Sequence, residues 1–346
     1  MQSHVNGEPR PHLAHLLARL NRIDGRSILA TLSVSVTAQR CLFPSPDSGG
    51  DEQPACSDGV ISYVHHSDGF DDGATAPKTA EDWARRHRVT AESLSSIVAH
   101  FAAGGKPITC IVFMMAGPTM VDVARSHSIP FVVSWIRPAT VLDIEYHYFH
   151  GGYRELITGH ATGGDHAHKV SMSLPGLSHP LLLWDFLSFL LDKIGSVLAN
   201  ALMEMFRELF ESMDQWRPKV LVNTIEELEA NVLAEMKRHL DVVTVGPMPT
   251  NVYLVEEEWE VGVRGQNSDG VVTRTELARC IELVMGDGAK AVAIRERMKE
   301  LKEIAQAAAS IGGSMDRNLR VFLSKHSKLL SPDTFCIRRS VMTKSV

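Results

Sequence analysis

Two histidine-rich segments contain the side chains whose types and spacing most readily suggest chemistry. HHSDGFDDG, at 65–73, brings two histidines together with three aspartates, and HATGGDHAHK, at 160–169, contains an HxH pair and one aspartate. Imidazoles and carboxylates are common metal ligands, but the second segment lacks a supporting fourth ligand and is rich in glycine. We interpret the first segment as a loop that follows a strand. The prediction is therefore that neither segment forms a metal site.

Other sequence signatures of catalysis are missing. The chain contains no GxSxG nucleophile elbow, no phosphate-binding P-loop and no GxGxxG dinucleotide fingerprint. Its formal net charge is -6, and its Lys and Arg residues are interspersed among Asp and Glu. The sequence therefore lacks the basic patches that are typical of a protein that binds nucleic acid.

The cysteines and the apolar segments predict a cytoplasmic protein. The 5 cysteines are widely spaced and form no CxxC motif, which favours a reducing compartment. The N-terminus has no apolar core of a secretory signal. The most apolar segment, 181–206, is interrupted by Asp185, Asp192 and Lys193, so we expect no membrane span there but a buried helix, or a buried helix pair broken near Gly195.

The alternation of apolar and amphipathic segments indicates the fold class. The 346 residues are enough for two domains with substantial cores. Short apolar, β-branched runs alternate with longer helical patterns up to residue 250, which predicts an α/β fold with a doubly wound parallel sheet. The predicted strands are Ser27–Val36, Val60–Gly69, Ile108–Gly117, Pro130–Ile136, Lys219–Asn223 and Val242–Val245. Beyond residue 250 the pattern is helical, with Val261–Gly265 as one further short strand.

Seven segments that occur in order along nearly the whole chain carry a family resemblance. They are QSHVN (2–6), VISYVHHSDGFDDG (60–73), WIRPATVLDIEYHYFHGG (135–152), LPGL (174–177), PKVLVNTIEELE (218–229), DGVVTRTELARCIELVMGDG (269–288) and AQAAASIGGSMDRNLRVFL (305–323). Together they resemble the plant UDP-sugar-dependent glycosyltransferases of family 1, most closely the subgroup acting on indole-3-acetate-like acids, flavonoids and crocetin-like carboxylates. The resemblance implies the GT-B fold, in which two Rossmann-like halves face each other across a cleft.

The stretch VGPMPTNVYLVEEEW, at 245–259, joins two segments that this family keeps far apart. In the family, the Gly-Pro end of a strand is followed by a linker and by most of the C-terminal Rossmann half. That half carries the sugar-nucleotide signature box with its HCGWNS core. Here Thr250 runs directly into sequence that resembles the segment after the box, and no HCGWNS-like string occurs. The resemblance therefore implies the N-terminal half of a GT-B fold, with helices from a mostly missing second half.

The resemblance divides the chain into four predicted parts. They are an N-terminal Rossmann-like acceptor-binding domain at 1–250 without its first strand, residual C-terminal-domain helices at 251–313, a terminal helix at 314–330 that packs back on the N-terminal domain, and a tail at 331–346.

The resemblance also implies which residues form the site. His4 lies at the family's general-base position, and histidine suits this task because its pKa is close to the operating pH. Met114 corresponds to the acidic partner of that base in many members, and a methionine cannot orient an imidazole. The family uses UDP-glucose as a co-substrate, so no cofactor and no metal are expected. The predicted acceptor-binding residues are Trp135, Ile136, Arg137, Tyr146 and Phe149, which follow the strand that ends at the cleft.

The sequence leaves two hypotheses about function open. By resemblance, the chain transfers glucose from UDP-glucose to a hydroxyl or carboxylate of a small plant metabolite. The alternative is a non-catalytic remnant that binds an acceptor or dimerises. The missing signature box predicts that UDP-glucose does not bind measurably. The expected partner is a small-molecule acceptor and not a nucleic acid or a membrane, and the sequence does not indicate the oligomeric state.

Overall fold

The computed structural model describes eleven segments of the chain and groups them into two compact units. The described residues are 30–42, 56–57, 61–73, 77–114, 119–155, 171–182, 197–246, 255, 259–265, 273–325 and 335–339. The first unit takes its described residues from 1–134, 195–221 and 319–346, and the second takes them from 135–194 and 222–318.

Most of the strands in the described segments belong to one sheet. The strands are β1 Ala30–Ser35, β2 Cys56–Ser57, β3 Ile61–His66, β4 Cys110–Met114, β5 Phe131–Trp135, β6 Ser171–Met172, β7 Leu181–Leu182, β8 Lys219–Val222, β9 Asp241–Thr244 and β10 Phe335–Arg339. Hydrogen bonding orders the sheet as β2-β3-β1-β10-β4-β5-β8-β9, and β6 pairs with β7 separately. The pairings β3–β1, β1–β10, β10–β4 and β4–β5 are parallel, whereas β2 runs antiparallel to β3. This is the predicted α/β arrangement around a largely parallel sheet.

Helices separate these strands along the chain. They are α1 Val36–Leu42, α2 Ala80–Ala103, α3 Thr119–Ser126, α4 Ala139–His150, α5 Val197–Trp216, α6 Ala230–His239, α7 Arg274–Met285, α8 Ala289–Ala309 and α9 Ser314–Lys325. Among the helices in the described segments, none combines the length and the apolar character that a membrane crossing requires.

The core of the first unit forms where apolar strands meet the inner face of α2. Strand β4 is buried along four of its five residues, as its continuous apolar sequence predicts. Helix α2 buries Leu94 and Val98. A capping box fixes its start: the Asp82 N–H donates to Thr79 Oγ1 at 3.1 Å, and the Thr79 N–H donates to Asp82 Oδ2 at 3.0 Å. The backbone N–H groups of Lys78 and Thr79 both donate to Asp82 Oδ2, and these two hydrogen bonds lower the pKa of Asp82.

Strand β10 lies in the middle of the sheet, although its residues belong to the segment 331–346 that we expected to be a tail. Its backbone runs parallel to both neighbours, so Phe335 is paired with Ala30 of β1 on one side and with Cys110 of β4 on the other. A strand at this position pairs with the backbone N–H and C=O groups of β1 and of β4, which would otherwise lack partners on those edges. The sequence FCIRR is short and of mixed polarity, so its pattern alone does not predict a central strand.

In the second unit, the start of α9 packs against residues from the predicted N-terminal domain. The Ser314 hydroxyl at the start of α9 donates to Glu227 Oε2 at 2.9 Å, and Asn318 Nδ2 donates to Thr244 Oγ1 at 2.7 Å. Met315, which lies between Ser314 and Asn318 in sequence, is buried in a small apolar cluster with Ile225 and Ala308. The start of α9 thus contacts the segment that precedes residue 250, and the four domain boundaries themselves stay a prediction.

The segment Val261–Gly265 is described without a strand, so the prediction of a further short strand there is wrong. The Val261 N–H donates to the Val255 carbonyl at 2.8 Å, which closes a local turn. A short strand is stable only when a neighbouring strand accepts its hydrogen bonds.

Candidate functional site

Open α/β sheets bind ligands at the carboxyl ends of their strands. At the carboxyl end of β5, Trp135 is the last residue of the strand and Ile136 follows it. The Trp135 side chain is completely buried, whereas Ile136 is 45% exposed. Asn223, which follows β8, fixes both residues: its N–H donates to the Trp135 carbonyl at 2.9 Å, and its Nδ2 donates to the Ile136 carbonyl at 2.8 Å. The backbone at this position is therefore held firmly while the Ile136 side chain faces outward.

Arg137 follows Ile136, and its side chain is held by the buried acid Glu145. Its Nη1 and Nη2 donate to Glu145 Oε1 and Oε2 at 2.5 and 2.6 Å, and its guanidinium lies 4.5 Å from the centre of the Trp135 ring. Paired hydrogen bonds of this kind are among the strongest that proteins form. Burial nevertheless raises the pKa of Glu145 to about 7, although the nearby Arg137 charge acts to lower it. Arg137 therefore has an internal partner for its charge.

A second buried acid, Glu229, holds the start of α4. Its Oε1 accepts hydrogen bonds from the N–H and the hydroxyl of Thr140, both at 2.7 Å, and its Oε2 accepts one from the Ala139 N–H at 3.1 Å. Pro138 precedes these residues and offers no side-chain cap. Glu229 therefore supplies the negative charge and the acceptors that the helix N-terminus needs.

Two of the three aromatic residues predicted for the pocket, Tyr146 and Phe149, lie near the far end of α4. Tyr146 is 7% exposed, and its ring stacks on His150 with 4.2 Å between centroids and tilts against His239 at 4.9 Å. Phe149 is half-buried beside Tyr148, with ring centroids 5.1 Å apart. Both rings pack against neighbouring side chains of the second unit.

The five predicted acceptor residues have different surroundings: Trp135 ends β5, Ile136 and Arg137 lie between β5 and α4, and Tyr146 and Phe149 lie on α4. Only Ile136 among them has a largely exposed side chain. His4 lies outside the described residues, and Met114 is the last residue of β4. The assignment of acceptor-binding and catalytic roles to these residues stays a prediction.

Sequence reasoning missed the two buried acids that hold this region together. Glu145 is completely buried and Glu229 is 5% exposed. An acid inside the helix segment VLDIEYHYF, most of whose side chains are aliphatic or aromatic, was a usable signal for Glu145, since buried carboxylates need a partner. The role of Glu229 depends on a contact across 89 positions and has no local signal.

The loop HHSDGFDDG is a turn after β3, as we interpreted it. Ser67 Oγ donates to Asp71 Oδ2 at 2.6 Å, the Phe70 N–H donates to Asp68 Oδ1 at 3.1 Å, and Asp68 forms an ion pair with Arg86 at 2.9 Å. Its carboxylates are thus used to shape the loop. The second histidine-rich segment, 160–169, lies outside the described residues.

A separate cavity of about 370 Å³ lies in the first unit at the amino ends of β5 and β8. Arg125, Phe131, Trp216 and Pro218 contribute to its lining, and the Arg125 guanidinium lies 3.9 Å from the centre of the Trp216 ring. Ligands of doubly wound sheets bind at the carboxyl ends of the strands, so this cavity is not the candidate site.

Comparison with known structures defines the class of fold. The structure superposes on Os79 from O. sativa in complex with UDP with a TM-score of 0.71 at 19% identity, over 93% of this chain and 98% of that one. It also superposes on Phytolacca americana UGT2 complexed with UDP-2fluoro-glucose and pterostilbene with a TM-score of 0.62 at 14% identity, over 86% and 99% of the two chains. The fold is that of a Rossmann-like half of the GT-B glycosyltransferases.

Relatives that are similar in sequence are also plant glucosyltransferases. Phloretin 4'-O-glucosyltransferase of Malus domestica is 31% identical over 197 residues, which are 56% of this chain and 40% of that relative. Crocetin glucosyltransferase, chloroplastic, of Gardenia jasminoides is 23% identical over 478 residues, which span 94% of this chain and 96% of the relative. No protein-family model matches the chain. The chain is homologous to the plant UDP-glycosyltransferases.

The two alignments also show how much of these relatives is represented. The chain spans less than half the length of the apple relative. The alignment with the Gardenia relative is longer than the 346 residues of this chain, so long gaps must face the relative's sequence.

Proposed function

We propose that this chain is the acceptor-binding half of a plant UDP-glucosyltransferase, and that it holds a small metabolite without transferring sugar to it. The complete reaction of this lineage, by the same proposal, moves glucose from UDP-glucose to a hydroxyl or carboxylate of a small plant metabolite. Phloretin and crocetin, named in two relatives, represent these two acceptor chemistries.

The single observation that carries the proposal is the architecture beyond residue 250. The described part of this region contains α7, α8, α9 and β10, and β10 joins the sheet of the first unit. A donor-binding half of a GT-B fold needs a parallel sheet of its own with a helix N-terminus for the phosphates. The described part of this region contains no such sheet, and the sequence contains no HCGWNS-like string.

Helix α7 supports the same conclusion. It buries none of its residues, and its apolar side chains Leu277, Ile281 and Met285 are each more than half exposed. These three residues share one face because they are four positions apart. An apolar helix face of this kind is expected where the domain that once covered it has been lost.

The proposed roles of individual residues follow from the family resemblance and the geometry. Ile136 contacts the acceptor because its side chain is exposed at the carboxyl end of β5. Arg137, Tyr146 and Phe149 shape the walls around it. His4 lies at the position of the family's base, and Met114 offers no carboxylate to orient it, which is a second reason to propose that no sugar is transferred.

The cysteines that the structure describes with their side chains suit the proposed cytoplasmic location. Cys110 and Cys280 are not joined to other cysteines by disulfides, and reduced cysteines are typical of a cytoplasmic protein.

Titration calorimetry tests the proposal directly. Phloretin or crocetin is expected to bind the full chain with a micromolar dissociation constant, whereas UDP-glucose and UDP are expected to give no binding heat. A micromolar dissociation constant for UDP-glucose, together with glucoside formation, would show that the alternative of a working transferase is correct. Failure of both acceptors to bind would contradict the acceptor-binding role.

A further inference from the structure

Four side chains that bind metals in proteins meet between α4 and α6, outside the predicted acceptor residues. Asp143 and His147 lie one turn apart on α4, and Glu235 and His239 lie one turn apart on α6. Residues four apart share a helix face, so each helix presents one carboxylate and one imidazole together. One possible ligand atom from each of His147, Glu235 and His239 lies within 4.8 Å of the other two.

The distances within the pairs match those between the ligands of a tetrahedral ion. Asp143 Oδ1 is 3.4 Å from His147 Nε2, and Glu235 Oε1 is 3.1 Å from His239 Nε2. Ligand atoms bound to Zn²⁺ at ~2.0–2.1 Å in a tetrahedron are themselves about 3.3 Å apart. The ligand atoms of His147, Glu235 and His239 lie within 4.8 Å of one another, so a bound ion would require these atoms to approach by up to about 1.5 Å.

The α4 pair has polar atoms that the protein itself does not satisfy. Asp143 is completely buried and His147 is 7% exposed. Both Asp143 carboxylate oxygens and His147 Nε2 lack a well-formed hydrogen bond. Buried polar atoms without partners are rare because they are costly, and a ligand that satisfies them is a physical reason for their presence.

The α6 pair is held by a neighbouring side chain and contacts the α4 pair. Arg238 Nη1 donates to Glu235 Oε2 at 2.9 Å, which leaves Oε1 directed at His239. The His147 and His239 rings meet edge to face with 5.7 Å between centroids. Outer hydrogen bonds that fix a ligating carboxylate in this way are typical of metal sites.

We propose that His147, Glu235 and His239 bind a first-row divalent cation of the Zn²⁺ type, with Asp143 as the fourth ligand. Two imidazoles and two carboxylates in tetrahedral spacing suit Zn²⁺, whereas Mg²⁺ and Ca²⁺ prefer six or more oxygens. The ion is structural: it joins α4 to α6 and so fixes the helix that follows Trp135 and Ile136. It is not needed for the proposed acceptor binding, and the inference stands without that proposal.

Titration of the full chain with Zn²⁺ after treatment with a chelator tests the site. We expect one equivalent to bind and to raise the midpoint of thermal unfolding. Co²⁺ in place of Zn²⁺ should give the intense visible absorption of a four-coordinate ion. His239→Gln, at a partly exposed position, and Glu235→Gln should each weaken Zn²⁺ binding by at least about tenfold.

His150→Gln is the matched control, because His150 is an exposed histidine on the same helix and is not part of the cluster. It should bind Zn²⁺ like the wild type. Zn²⁺ held instead by the histidines of 160–169 would persist with unchanged affinity in His239→Gln, and that result would overturn the proposal. Absence of any Zn²⁺ or Co²⁺ binding by the folded wild type would overturn it as well.

Discussion

Arg137 and Glu145 form a two-point ion pair in which the acid is completely buried, with nitrogen–oxygen distances of 2.5 and 2.6 Å. Two effects on the acid oppose each other. Burial removes water from the carboxylate and raises its pKa, whereas the guanidinium lowers it, and burial is the larger effect, so the pKa is about 7. The Arg137–Glu145 pair, which lies just beyond the carboxyl end of β5, is therefore sensitive to pH near neutrality.

We predict that Glu145 makes the protein less stable as the pH rises from about 4.5 to 7. The folded state keeps this proton up to about pH 7, whereas the unfolded chain releases it near its usual value of 4.5. The folded state thus binds more protons in that interval, and the free energy of unfolding falls by up to about 3 kcal/mol as the pH rises. Urea unfolding of the wild type and of Glu145→Gln, followed from pH 4.5 to 8, measures this slope.

The difference between the two proteins isolates Glu145 from other titrating groups. Glu145→Gln removes the titration and keeps an oxygen that can accept from Arg137, so its stability should vary less over the same interval. If the difference between the two curves is independent of pH, the raised pKa of Glu145 is wrong.

Glu229→Gln should destabilise the protein by about 1–3 kcal/mol. The amide keeps one acceptor for Thr140, but its NH₂ group then faces the buried Ala139 N–H in place of Oε2. Glu226→Gln is the control, because Glu226 forms only an exposed ion pair with Lys237. Loss of such a pair costs about 0–1 kcal/mol. Equal unfolding free energies for the two variants, measured in urea, would contradict the capping role of Glu229.

The sequence was sufficient for the elements whose pattern is local. Strands β1, β3, β4, β5 and β8 lie within the predicted strand segments, and β9 overlaps its predicted segment but begins one residue earlier, at Asp241. A strand buried on both faces is apolar throughout, so its own residues reveal it. Strand β10 was missed because its place depends on β1 and β4, whose residues lie more than two hundred positions earlier.

The candidate site divides in the same way. The position of Trp135 and Ile136 at the carboxyl end of β5 could be predicted, since apolar strands and the residues after them can be recognised locally. The partners of that region could not be predicted, because Asn223 and Glu229 reach it from a distant segment. The proposed cation site also combines two helices that are separate in sequence, and each i, i+4 pair alone indicates only an ordinary helix face.

A chain that ends at residue 330 should lose its cooperative unfolding transition. Without β10, the neighbouring strands β1 and β4 have unpaired backbone groups on the edges that now face each other. Each lost hydrogen bond costs about 1 kcal/mol, and the sum over both edges is comparable with the ~5–15 kcal/mol that stabilises a typical domain. Near-ultraviolet circular dichroism during urea unfolding measures the loss.

A chain that ends at residue 340 is the control, because it keeps every residue of β10. It should unfold like the full chain. An unchanged midpoint for the chain that ends at residue 330 would mean that β10 contributes nothing to the sheet.

At the carboxyl end of β5, Ile136→Ala should weaken ligand binding with little effect on stability, whereas Trp135→Ala should lower the stability. The Ile136 side chain is 45% exposed and its backbone is held by Asn223. Its truncation should therefore change the free energy of unfolding by about 0.5 kcal/mol or less. Removing part of an apolar contact of about 1 kcal/mol should still weaken phloretin binding about fivefold.

Trp135→Ala removes a completely buried ring and should cost about 3–5 kcal/mol of stability. The loss also deprives the Arg137 guanidinium of the ring that it covers at 4.5 Å. Thermal unfolding and phloretin titration of both variants give the comparison. Unchanged phloretin affinity in a fully folded Ile136→Ala variant would remove Ile136 from the acceptor site, because no change in folding could then account for the result.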